Sequence, residues 1–448
     1  MKDLTKGYPA KVIFMFALPL MLGNIFQNLY NMADAKIVST YVGTTAFAAV
    51  GATSVVSDTL IGFINGLTQG FAIMIATSFG AKDEKRMRKY VAGTMILTAI
   101  VTVFLTITGL CQIERILRAL STPEDIMADA LSYVRIILAG IVLTAIYNMF
   151  ANMLRAVGDS KTPLYCLLVA VVVNIGLDLL FVGGFKWGIR GAAYATLLAQ
   201  AFSGGSCAIY SLIKFKELFP KRGEWKPEIL FYRELTTAGL SMGLMSCIVN
   251  VGTIVLQSAI NSLGTKIVAA HTAARRVFFI LMILIFNIGT AMTTYVSQNM
   301  GAGRIDRIKQ GVKHALFIVT AESVVVIFIC YLFGEGIIRW VTNTDDAEII
   351  GAAVMYIKVG VLFFFVLGPL FILRCSLQGM GRKIIPVLSS VLEMAVKVVS
   401  AMFLVPKLKY FGVALTEPIS WCVMTALLAV AYLAKPPEKM MADMNKKL

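Results

Sequence analysis

Residues 163–181, PLYCLLVAVVVNIGLDLLF, decide how the chain is read. The stretch is long and apolar enough to cross a bilayer as a helix. Yet it carries Asn174 and Asp178, four residues apart and so on one helical face. A carboxylate at bilayer depth costs about 3 kcal/mol on insertion scales. It is tolerated where it faces a wet cavity, a partner or an ion. One reading is a buried acid held by amides and hydroxyls for packing. The other is a coupling or substrate site, and it is preferred because acids within spans are functional by default.

The rest of the chain supplies the membrane. Of 448 residues, 58% are hydrophobic and 15% charged, with a mean hydropathy of +0.80. A soluble fold of this size has too little interior for that apolar surface, so the composition predicts a polytopic, all-α integral membrane protein. Lys2, Asp3 and Lys6 precede an apolar run that continues past signal-peptide length, which predicts a span and not a cleaved leader. Twelve spans are expected, at 12–36, 46–78, 91–112, 130–154, 163–184, 188–213, 234–262, 266–299, 311–333, 350–376, 384–405 and 411–433. The even-numbered loops and both ends are basic. The loops after spans three and nine carry acids, among them Glu114, Glu124, Glu335 and Asp345. A count of roughly 27 Lys and Arg on one side against about 8 on the other places both termini in the cytoplasm. In this setting the net charge of +16 reads as topology-setting loops, and no nucleic-acid partner is expected. The seven cysteines form no CxxC pair, and neither they nor His271 and His314 have metal-ligand spacing, so no metal site is expected. No Walker A, GxSxG or HExxH sequence is present, so neither an ATP motor nor an enzyme is expected.

The chain repeats itself. Gly80-Ala-Lys-Asp-Glu-Lys-Arg86 matches Gly301-Ala-Gly-Arg-Ile-Asp-Arg307, and Gly43-Thr-Thr-Ala-Phe-Ala-Ala49 matches Gly264-Thr-Lys-Ile-Val-Ala-Ala270. Gly158 to Pro163 matches Gly381 to Pro386, and Gly191-Ala-Ala matches Gly412-Val-Ala. The expected domains are a six-helix bundle over 1–213, a basic cytoplasmic linker over 214–233 with Pro220, Gly223 and Pro227, a second six-helix bundle over 234–434, and a cytoplasmic tail over 435–448. Six spans per copy make the halves parallel and pseudo-symmetric, as in transporters whose substrate sits between two rocking bundles.

The repeat also acts as an internal control. Asn174 aligns with Lys397, Asp178 with Ala401 and Asp34 with Val255. Glu393 lies one turn before Lys397, so the second half can pair its own charges. Span five has no basic residue near Asp178. The first half therefore holds two acids, Asp34 and Asp178, without counterparts. Asn31, Asn148, Asn152, Asn174, Thr196 and Gln200 are their expected polar company. Two carboxylates in one low-dielectric pocket do not both ionise cheaply, so one of them is expected to titrate closer to physiological pH, as a proton-coupling site requires. The same oxygens could instead ligate sodium. Sequence leaves both coupling ions open. Glu322, Glu417 and Met292 are further candidates for contact with a substrate. Lys36 is read as snorkelling, Asp58 as an outer boundary residue and His271 as packed. Pro19, in the same span as Asp34, is a candidate hinge.

The motifs together resemble the multidrug and toxic compound extrusion (MATE) family. They are Ala17-Leu-Pro-Leu-Met-Leu-Gly-Asn24, Leu29-Tyr-Asn-Met-Ala-Asp34, Leu154-Arg-Ala-Val-Gly-Asp159, Asn174-Ile-Gly-Leu-Asp178 and Gly188-Ile-Arg-Gly-Ala-Ala-Tyr-Ala-Thr196. Asp in span one with Asn-xxx-Asp in span five looks like the DinF-like prokaryotic branch. The resemblance implies two six-helix bundles in a V around a central cavity, in a prokaryotic cell membrane. It implies export of lipophilic or cationic organic compounds in exchange for H+ or Na+. No other cofactor is implied, the expected partners are small organic substrates and the lipid bilayer, and the expected state is a monomer. Carried over from that branch, the cation cluster is Asp34, Asn174, Asp178, Asn152 or Asn148, and Thr196. Lys36 and Ser39 depart from the family pattern, which has small or aliphatic residues and Gly there. The alternative is a flippase for lipid-linked oligosaccharides or lipids in the same superfamily, whose cavities are usually more basic than this acidic first half.

Overall fold

In the computed structural model, residues 3–120, 122–226 and 228–445 are described. Pro227 of the expected linker and residues 446–448 of the expected tail lie outside them. Within a bilayer a backbone must satisfy its own N–H and C=O groups, so long apolar runs fold as helices. In order these are α1 (Pro9–Tyr41), α2 (Thr44–Gly80), α3 (Glu84–Ala119), α4 (Glu124–Ala139), α5 (Ile141–Ala156), α6 (Lys161–Asp178) and α7 (Gly188–Lys214). There follow α8 (Ile229–Asn261), α9 (Thr265–Gly301), α10 (Ile305–Thr342), α11 (Ala347–Leu362), α12 (Phe364–Gly379), α13 (Ile384–Val399), α14 (Val405–Leu408), α15 (Tyr410–Ala434) and the short α16 (Pro437–Asn445). Among the described residues there is no strand.

All twelve expected spans are present, but two of them are broken. Helices α4 and α5 meet at a 45° bend, and α11 and α12 at a 55° bend. Counting each bent pair as one span gives twelve, in an all-α multi-pass membrane protein. The fourth and tenth spans were expected as single helices, since each reads as one apolar run. Contacts with other helices mark both breaks. At Gly140 a β-carbon would collide with the Leu197 side chain of α7. At Gly360, one turn before the second break, it would collide with the Phe278 ring of α9. Hydropathy carries no trace of such contacts.

The repeat is visible in the backbone. Positive φ recurs at Gly43 and Gly264, Gly158 and Gly381, Lys82 and Gly303, and Gly188 and Lys409. A π-helical turn follows α6 at Leu179–Gly184 and follows α13 at Ser400–Leu404. Such turns widen the helix and free backbone groups, and they recur at functional sites.

The chain divides into two compact units. Asp3 and residues 18–243 form the first, and 4–17 with 244 onward form the second. Helix α1 changes unit at Leu18, beside Pro19, and α8 changes unit at Gly243. In the first unit, Leu67, Phe71, Met149, Phe150 and Leu154 build one core. Val38, Ala49, Val134 and Val182 build another. Here Gly66 and Gly70 let α2 approach the α8 backbone closely. A β-carbon at Gly66 would stand 2.6 Å from the Met242 carbonyl oxygen. In the second unit, the segment before α1 is pinned by Arg307, whose Nη1 donates to the Gly7 carbonyl at 2.9 Å. Gln298 also accepts the Leu4 N–H there at 3.0 Å.

Candidate functional site

The first unit encloses a cavity of about 550 Å³. Helix α1 lines it with Asn24, Gln27, Asn31 and Asp34, a polar stripe at intervals of three and four residues. Ser54, Asp58 and Asn65 from α2 join it, with Tyr133, Asn148, Thr196 and Gln200 from α4, α5 and α7.

Asp178 ends α6, immediately before the π-helical turn, and both Asp178 and Asn174 are fully buried. With its amide oriented so that both ends are satisfied, Asn174 donates from Nδ2 to Asp178 Oδ2 at 2.7 Å. Its oxygen then accepts the Thr196 N–H at 3.3 Å. The Tyr30 hydroxyl donates to Thr196 Oγ1 at 3.4 Å. The carboxyls of Asp34 and Asp178 lie within side-chain hydrogen-bonding reach of each other. Two carboxyls make a hydrogen bond only when one of them carries a proton. The Oδ1 atoms of both acids are buried without a protein partner. The cluster thus offers carboxylate oxygens to a proton or a small cation inside an apolar bundle.

Not every expected member joins it. Asn148 lines the cavity, its Nδ2 donating to the Thr144 carbonyl at 3.0 Å. Asn152, one turn on, does not line the cavity itself but bonds to two residues that do, Asn65 and Arg155. Its Nδ2 donates to Thr68 Oγ1 at 2.9 Å, and its Oδ1 accepts from Arg155 at 3.0 Å. Gln200 lines the cavity with its Oε1 buried and unpartnered. Pro19 is a buried lining residue within an unbroken α1. Lys36 is exposed, and Asp58 is an exposed lining residue. Tyr30 and Tyr133 escaped the sequence reading. Tyr30 was detectable as the residue one turn before Asp34 on the same face.

The remaining candidates lie in the second unit. Met292 is fully buried in the packing of α9, and His271 is buried against the edges of Tyr356 and Tyr410. Glu322 on α10 has a buried Oε2 without a partner. Glu417 sits 3.4 Å from Lys397 and 3.7 Å from Arg275. Glu393 and Lys397 form the i,i+4 pair at 2.9 Å. No group of three or more metal-ligating side chains occurs among the described residues.

Comparison with known proteins bears on the repeat and the fold. The family model described as MatE matches the chain twice, over residues 19–180 and 242–403, which is the repeat itself. A "Probable multidrug resistance protein YpnP" of Bacillus subtilis is 30% identical over 387 residues, 85% of each chain. A "Probable multidrug resistance protein YoeA" of the same species is 26% identical and covers 92% of this chain and 91% of its own. The fold matches a crystal structure of "MATE in the bent conformation" with a TM-score of 0.89 at 23% identity, over 99% of both chains. The family match defines the class, a multi-pass transporter and not an enzyme. More narrowly, the chain belongs to the MATE family.

Proposed function

We propose that this protein is a proton-coupled multidrug exporter. It would expel lipophilic or cationic organic compounds by alternating access, from a prokaryotic cell membrane, with both termini in the cytoplasm. The observation that carries this reading is the meeting of Asp34 and Asp178 beside the cavity of the first unit. A carboxyl pair that shares a hydrogen bond holds one proton and releases it at the cost of two adjacent charges. That makes its protonation state a switch between two energetically distinct forms of the unit. Asn174 steadies the ionised form by donating to Asp178, and the Thr196 N–H fixes Asn174. An amide N–H aimed at Asp178 is a poorer neighbour for sodium than an oxygen, which favours the proton over Na+. Pro19 leaves a carbonyl one turn earlier in α1 without its helical donor. This gives the helix a place to bend when the pair changes charge. The relatives' names, multidrug resistance proteins, support the substrate class. The protein would act as a monomer without a further cofactor.

Dye accumulation in cells tests this reading. Cells expressing the wild type should retain less of a lipophilic cationic dye than control cells. Cells expressing Asp178→Asn should retain as much as controls. Equal export by both would overturn the proposal.

A further inference from the structure

The second unit places charged groups at positions equivalent to neutral polar residues around the first unit's acid pair. Lys397 is the repeat equivalent of Asn174, and Glu417 that of Thr196. Arg275 is the equivalent of Ser54, a lining residue of the first unit's cavity. Five ionic groups run in alternation. Arg374 lies 3.7 Å from Glu393, Glu393 lies 2.9 Å from Lys397, Lys397 lies 3.4 Å from Glu417, and Glu417 lies 3.7 Å from Arg275. Arg374, Glu393 and Lys397 are buried, with side chains at most 10% exposed. Glu417 is nearly so, and Arg275 is about half exposed at 46%.

This run holds three cations and two anions. A surplus positive charge within membrane-spanning helices is costly unless an anion or water meets it. The surplus can be met at Arg275, the open end of the run. Its contact with Glu417 is too long for a hydrogen bond. Tyr356 engages it on one side, but a guanidinium carries five N–H donors in a fork that fits an oxyanion. Arg374, at the other end, is spent on Ser389 at 3.1 Å and Met424 at 3.1 Å. We propose that the second unit carries a subsite at Arg275 for a singly charged oxyanion, the carboxylate of an organic solute or the phosphodiester of a lipid headgroup. The subsite lies wholly in the second unit and stands whether or not the acid pair of the first unit couples transport to a proton.

Thermal-shift titration of the full-length protein in neutral-detergent micelles tests it, with 1-naphthoate as probe and uncharged 1-naphthamide as control. The wild type should be stabilised by naphthoate and not by naphthamide. Arg275→Gln should bind naphthoate at least roughly tenfold more weakly, since it loses a charge-assisted contact, and Arg275→Lys should recover part of the affinity. Glu417→Gln removes an anion from the run, so it should bind naphthoate more tightly than wild type. A purely structural ion cluster would not give these opposite signs. Equal shifts with naphthoate and naphthamide would overturn the proposal. So would wild-type affinity in Arg275→Gln, or weaker binding in Glu417→Gln. Repeating the titration with added phosphatidylglycerol separates the sources. Competition assigns the subsite to a lipid phosphodiester, and its absence assigns it to a solute carboxylate.

Discussion

Asp34 on α1 and Asp178 at the end of α6 bring their carboxyls within hydrogen-bonding reach, each with one oxygen buried and unpartnered. Neither acid has a counterpart in the second unit, where Val255 and Ala401 stand at the equivalent positions. The fold therefore does not require the pair, and its chemistry is an addition to the bundle.

If the two acids act as one proton site, their losses should not add. Asp34→Asn and Asp178→Asn should each reduce pH-gradient-driven transport to the level of empty vesicles, and the double variant should lose nothing further. Additive partial losses would separate the two residues.

Lys397 shows that this position in the repeat tolerates an ammonium. Asn174→Lys should then fold, with a melting temperature near that of wild type, while losing ion-driven transport because its own cation neutralises Asp178. Retained coupling would show that Asp178 is not the ion's ligand.

Close packing of α2 on α8 depends on Gly66 and Gly70. Gly70→Val should destabilise the protein by about 1–3 kcal/mol through overpacking, read from chemical denaturation in detergent. The Ala238 carbonyl carbon and oxygen stand 2.5–2.7 Å from where its β-carbon would be, so backbone must move. An unchanged denaturation midpoint would mean that the two helices separate easily.

In the segment between the membrane-spanning helices α7 and α8, Glu224 is gripped by Arg88 through Nε at 2.8 Å and Nη2 at 3.1 Å. That hydrogen bonding holds the Glu224 carboxyl down at about 2, from an ordinary 4.5. A carboxyl depressed on folding stabilises the folded state above its unfolded value and loses that effect as pH falls through the folded one. The melting-temperature gap between wild type and Glu224→Gln should therefore be constant above about pH 5 and close as pH falls from 4.5 towards 2. A gap that persists below pH 2 would assign it to packing.

Much of this architecture was legible in the sequence. The twelve spans follow from hydropathy because the bilayer sets helix length, and the repeat follows from glycine-bearing turns whose positive φ recurs in both halves. Asp34, Asn174, Asp178 and Thr196 were legible because a membrane charges a high cost for polar groups, so their presence signals a purpose. Their company was less so. Asn148 and Asn152 lie one turn apart, and only tertiary packing sends one into the cavity lining and the other behind it, onto Thr68 and the lining residues Asn65 and Arg155. The bends near Gly140 and Gly360 coincide with contacts to Leu197 and Phe278. Those are long-range neighbours that no local pattern encodes. The five-membered ionic run of the second unit was half visible, as the Glu393 and Lys397 pair, because i,i+4 spacing reveals partners on one helix and not those on three others.

Purified protein in proteoliposomes tests the central claim most directly, with export of a lipophilic cationic dye driven by an imposed pH gradient or by an imposed sodium gradient. The pH gradient alone should drive export by the wild type, and Asp178→Asn should abolish it. Export driven by sodium with pH held equal across the membrane, or undiminished pH-driven export by Asp178→Asn, would contradict the account.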